Sequence, residues 1–82
     1  MKKYKKIYFD YFGYCKDEKI LCEICGREAV DIHHIQPKGI GGSKNEDYIE
    51  NLIALCRDCH TAAHEHSLSK ELLTKIHISN LF

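Results

Sequence analysis

Cys22-Glu23-Ile24-Cys25 and, after thirty intervening residues, Cys56-Arg57-Asp58-Cys59-His60 decide how this chain folds. Each CxxC turn presents two thiolates with little strain. Two such turns supply the four soft donors that a tetrahedral Zn²⁺ takes. Two disulfides or four buried thiols are the competing readings. The chain has 82 residues, and a domain of that size buries only about 60–65% of its unfolded surface, so its core alone leaves it marginal. A metal clamp supplies the missing stability. Iron fits the same four-sulfur cage; structural zinc is preferred. Cys15, the fifth cysteine, reads as an ordinary free thiol.

The rest of the sequence supports a small soluble globule. Hydrophobic residues make up 44% and charged residues 29%, which argues against disorder. No apolar run approaches the ~18 residues of a membrane span. The start, Lys2-Lys3-Tyr4-Lys5-Lys6, lacks the apolar stretch and cleavage site of a signal peptide. The expectation is a cytoplasmic chain with no membrane partner, where disulfides are rare. The formal net charge of zero divides into +3 over residues 1–19 and −3 over residues 20–82. Polyanion binding therefore has to come from local features rather than from overall charge.

Outward from the cysteines, Ala29 to Ile35 is strand-like and β-branched, and Pro37 stops it from continuing. Lys38 to Asn45, with Gly39, Gly41 and Gly42, is a loop. Asn51 to Leu55 is a second short apolar segment that can pair with the first. A helix begins near Arg57 and carries His60 and His64 on one face. At the N-terminus, Tyr4, Ile7, Tyr8, Tyr11 and Phe12 form a helical stripe that Gly13 ends, read as packing onto the core. Ser69 caps a last helix with Leu72, Leu73 and Ile76 as its buried face.

Histidines are the second excess, six in all. His33 and His34 close the first strand and His60 follows Cys59, so a metal held by the four cysteines draws these imidazoles toward one place. His60 and His64 have the i, i+4 spacing with which two histidines bind one ion from a helix.

These motifs, Cys22-x-x-Cys25, Asp31-Ile-His33-His34-Ile35-x-Pro37, Gly41-Gly42 and Asn51-Leu52-x-x-Leu55-Cys56-x-x-Cys59-His60, resemble those of HNH nucleases with the ββα-metal fold. The resemblance spans residues 22–60, and the segment Ile7 to Gly13 is similar to what precedes the motif in small phage-type members. It implies an α+β fold: a two-stranded hairpin plus helix, stapled by zinc and flanked by an N-terminal and a C-terminal helix. The expected layout is one domain over residues 1–82, with a helix in 1–14, the zinc-stapled core in 20–66 and a helix in 67–82.

The resemblance also implies roles. His34 is the general base, and Asn51 ties the loop in place through backbone hydrogen bonds. His33 and His60 hold the catalytic divalent metal (Mg²⁺, Mn²⁺, Ni²⁺ or Zn²⁺), with His64 or Asp31 as further candidates. Cys22, Cys25, Cys56 and Cys59 hold the structural zinc. Lys2, Lys3, Lys5, Lys6 and Lys38 are candidate nucleic-acid contacts. The substrate is nucleic acid, double-stranded DNA foremost, cut to a 5′-phosphate and a 3′-hydroxyl. The host is bacterial or phage, with a phage or defence-system protein as the implied partner.

The chemistry fits these roles. A neutral imidazole accepts a water proton at neutral pH, and an ion with few protein ligands keeps positions open for phosphate and water. Adjacent strand residues point to opposite faces, so His33 and His34 share a site only if the strand twists or ends there; otherwise Asp31, on the face of His33, competes as ligand. The rival reading is a non-catalytic four-cysteine zinc module for nucleic-acid or protein interaction. It explains the cysteines but not His33, His34, Asn51 and His60 in this order.

Overall fold

The computed structural model describes residues 2–36 and 48–82. Pro37 and the expected loop with Lys38, Gly41 and Gly42 lie outside them. The described residues form helix α1 (Lys3–Phe12), strand β1 (Asp31–His34), strand β2 (Leu52–Leu55), helix α2 (Arg57–His64) and helix α3 (Lys70–Leu81), with a 3₁₀ turn over Ile49–Asn51 before β2. This is the α+β arrangement expected.

The strands pair antiparallel, Asp31 opposite Leu55 and His34 opposite Leu52. β1 is shorter than the strand-like run around it, but single backbone bonds extend the ladder at both ends: Val30 N–H to the Leu55 carbonyl and Ile35 N–H to the Asn51 carbonyl, each 2.9 Å. Every residue of β2 is fully buried, as an unbroken Leu-Ile-Ala-Leu run requires. Its alternation feeds two cores. Ile53 and Leu55 join Cys22, Ile35, Cys56, Ala63 and Leu73 on the cysteine side. Leu52 and Ala54 join Tyr8, Ile20 and Ile32, with Tyr4, Ile7 and Phe12 of α1 packed against them. Gly13 ends α1 at φ 76°, in the left-handed region that favours glycine.

α3 starts where expected, the Ser69 hydroxyl accepting from Leu72 N–H at 3.1 Å. Its buried face differs from the expectation: Leu73 and His77 are buried, whereas Leu72 is 42% exposed. The cause is Glu23, between the two cysteines of the first turn. Its carboxylate accepts from Tyr8 Oη (2.6 Å) and Asn80 Nδ2 (3.1 Å), meets His77 Nδ1 at 2.7 Å, and accepts a longer bond from Ala54 N–H at 3.3 Å. His77 Nε2 meets the Ile49 carbonyl at 2.6 Å. With acceptors at both nitrogens, the ring carries both protons. A buried charge needs such partners, and supplying them rotates His77 inward and Leu72 outward.

Candidate functional site

The four cysteines meet as the spacing predicts. Their sulfurs all lie within 4.8 Å of one another, with Cys25 Sγ and Cys56 Sγ 3.5 Å apart. That is well beyond a disulfide bond of about 2.05 Å and close to the roughly 3.8 Å edge of a tetrahedron built on Zn–S bonds of about 2.3 Å. The first turn is shaped by Gly26 at φ 78°, whose N–H reaches the Cys22 carbonyl at 3.0 Å. The second opens α2, with Cys56 Sγ accepting from Cys59 N–H at 3.5 Å. Burial opposes ionisation of Cys22, but backbone N–H groups of Cys25, Cys56 and Ile24 outweigh it and bring this thiol to about 7. Burial, together with its neighbouring sulfurs, pushes Cys59 up. Cys25 is also raised, although a backbone hydrogen bond at Arg27 opposes this; burial and its sulfur neighbours outweigh it. Four thiols this close resist ionising together, and a divalent cation removes the conflict. The donor set fits zinc.

A second cluster lies where α2 packs on the cysteine-side face of the hairpin. The ring nitrogens of His33, His60 and His64 also come within 4.8 Å of one another. His33 projects from β1 toward α2, its ring 5.2 Å from that of His60 and 5.5 Å from that of His64. His60 and His64, one helical turn apart, bring their Nε2 atoms to 3.1 Å. Two nitrogens sharing an ion at about 2.0–2.1 Å stand roughly 2.9–3.4 Å apart, so this spacing suits a common metal. Asp31, two residues from His33 and on its face, has Oδ2 4.0 Å from His60 Nε2. Burial first, then the neighbouring His60 and His64, lower His33 to about 4. At neutral pH it is an uncharged ring with a lone pair to offer.

His34 turns the other way, toward α1. Its ring stands edge-on to Tyr4 at 4.7 Å. The alternation of the strand thus holds, and the two histidines divide their contacts between α2 and α1. They nonetheless meet at the surface: one cleft is lined by Tyr4, Asp31, His33, His34, His60 and His64. Asn51 is buried beneath. Its side chain accepts from Gln36 N–H at 2.8 Å and donates to the Gln36 carbonyl at 3.0 Å, closing a two-point clamp two residues beyond His34.

Among the candidate contact residues, Lys2, Lys3 and Lys6 are exposed and Lys5 is half-buried on α1. Lys6 is paired with Asp10 at 2.8 Å. Lys38 lies outside the described residues. Helical register alone assigns Tyr4 to the core; it also borders the cleft, and only the packing of α1 on β1 reveals that.

Residues 22–66 match the HNH endonuclease family, and the chain belongs to it. It is 30% identical over 74 residues to the type IV methyl-directed restriction enzyme EcoKMcrA of Escherichia coli (strain K12), an alignment covering 78% of this chain and 26% of that protein. It is 35% identical over 51 residues to a mitochondrial DNA mismatch repair protein mutS homolog of Sarcophyton glaucum, covering 58% and 5%. The chain therefore spans about a quarter or less of the curated relatives it matches. No solved structure gives a significant match. Among the described residues, no helix is long and apolar enough to cross a membrane.

Proposed function

We propose that this chain is a metal-dependent endonuclease that hydrolyses phosphodiester bonds of nucleic acid, double-stranded DNA foremost, with residues 1–82 acting as one domain. The observation that carries the reading is the pooling of His33, His60 and His64 on a cleft wall shared with His34. Four cysteines account for stability and leave these imidazoles without a structural purpose. The match to a restriction enzyme supports DNA as substrate. A thiolate cage suits a reducing compartment, which favours the cytoplasm.

His33 and His60 would hold the divalent ion, with His64 or Asp31 completing the set. When bound, the ion supplies charge compensation for the scissile phosphate and the departing 3′ oxygen. His34 takes the proton of the attacking water at a ring nitrogen. The ring contact with Tyr4 restrains the orientation of that imidazole. Asn51 fixes the backbone just beyond it, so the base meets the phosphate in a set geometry, where proximity counts for most. The α1 lysines and Lys38 steer the backbone of the nucleic acid. The products are a 5′-phosphate and a 3′-hydroxyl.

The test is plasmid nicking by zinc-loaded protein with added Mg²⁺, Mn²⁺, Ni²⁺ or Zn²⁺, against a chelator control. Nicking that needs the added ion is the expected result. If folded, zinc-loaded protein cuts no duplex, single strand or RNA with any of these ions, the non-catalytic zinc module replaces this reading.

A further inference from the structure

We propose that His66 and Lys70 form a subsite for a backbone phosphate neighbouring the scissile one. This inference rests on the nuclease reading above. A cleft of about 270 Å³ runs from the proposed base to the start of α3, lined by His34, His64, His66 and Lys70 over an apolar floor that includes Leu68 and Leu73. Among the described residues no carboxylate lines it; Glu65 and Glu71, the sequence neighbours of its basic rim, are exposed and outside the lining. Among the described residues, neither the His66 nor the Lys70 side chain has a hydrogen bond or ion pair within the protein.

The backbone adds an independent observation. Three described residues have positive φ: Gly13, Gly26 and His66, the last at 64°. The role of residue 66 in the main chain is to end α2, its N–H reaching the Ala63 carbonyl at 3.2 Å while Ser67 N–H reaches Ala62 at 2.9 Å. Glycine takes a positive φ without strain, as it does at the other two positions. A histidine here forgoes that ease and places an imidazole on the rim of the cleft. Strain tolerated beside a reactive site is a mark of function. In every protonation state the ring has an N–H to donate, and the Lys70 ammonium, lining the same cleft, supplies a point charge suited to phosphate.

The experiment uses the full zinc-loaded chain and a fluorescent 20-base-pair duplex, read by anisotropy without added divalent ion and then by cleavage with it. His66→Gly is expected to weaken binding about 5–10-fold while its melting temperature stays level or rises, because the backbone relaxes. Lys70→Gln is expected to weaken binding similarly and to reduce the slope of log K against log salt by about 0.9, the signature of one lost phosphate contact. Wild-type affinity in both variants, or an unchanged salt slope in Lys70→Gln, overturns the subsite. If His66→Gly loses thermal stability, exposed Lys70 decides alone. A chain that binds with this pattern but never cuts keeps the subsite and removes the nuclease reading; a chain that cuts and binds normally after both substitutions does the reverse.

Discussion

Glu23 and His77 stand 54 residues apart in sequence and 2.7 Å apart in the fold, their side chains 6% and 0% exposed. Burial works against both charges. Hydrogen bonds from His77, Tyr8 and Asn80 nonetheless hold Glu23 below its ordinary 4.5, and Glu23 with the Ile49 carbonyl holds His77 above its ordinary 6.5. Through this pair, one carboxylate inside the first cysteine turn fastens both outer helices and the turn that leads into Asn51.

Breaking that pair from one side leaves the other charge buried and short of a partner. His77→Phe is expected to cost about 3–5 kcal/mol in urea unfolding of zinc-loaded protein. The His77 contribution is complete below pH 6.5 and fades as pH rises through its elevated folded value. The gap between wild type and variant should therefore narrow from pH 6 to pH 9. An equal gap at both values means the ring is neutral in the fold.

The cysteine cage predicts one zinc, or one iron, per folded chain by elemental analysis. Cys56→Ser removes a ligand and the sulfur that accepts from Cys59 N–H, so it should lose cooperative unfolding, because the binding energy of the metal is folding energy. A variant that melts like wild type shows that the cage is not the staple.

Asn51→Ala opens the clamp on Gln36. Cleavage should fall by roughly 10²-fold, the scale of an ångström-sized displacement at a reacting group, while zinc content stays at one. Undiminished cleavage would show that the loop is held by other means.

His34→Ala and His60→Ala should fail differently. The first loses a proton acceptor, so cleavage drops about 10²–10⁴-fold while calorimetric titration with Mn²⁺ or Ni²⁺ stays near wild type. The second weakens that titration, and excess ion partly restores its rate. Equal metal affinity in both variants contradicts the division of roles.

Much of this is legible in the chain because the signals are local. Two CxxC turns, a β-branched run against an apolar one, Gly13 after an aromatic stripe and Ser69 before α3 each state their structure within a few residues. The convergence of His33 and His60 also follows, since the cage ties together the segments that carry them. What escapes depends on partners far along the chain. A glutamate between two cysteines looks like a solvated turn residue until His77 and Tyr8 arrive from other elements. For the same reason periodicity misplaces the inward face of α3 at Leu72, since an apolar pattern has no way to register that a charged ring claims the buried position. Tyr4 fits the core stripe equally well whether or not it borders the cleft.

The docking of α1 and α3 onto the first cysteine turn also bears on turnover. Helices of 10 and 12 residues are too short to persist alone in water, so loss of the cage by chelation or thiol oxidation strips both of their common anchor. Unfolded chain is what proteases cut, so the expected outcome is faster digestion of chelator-treated protein than of metal-loaded protein. On the proposed zinc and nuclease reading, that dependence makes the lifetime of the protein contingent on zinc supply and on thiols that stay reduced.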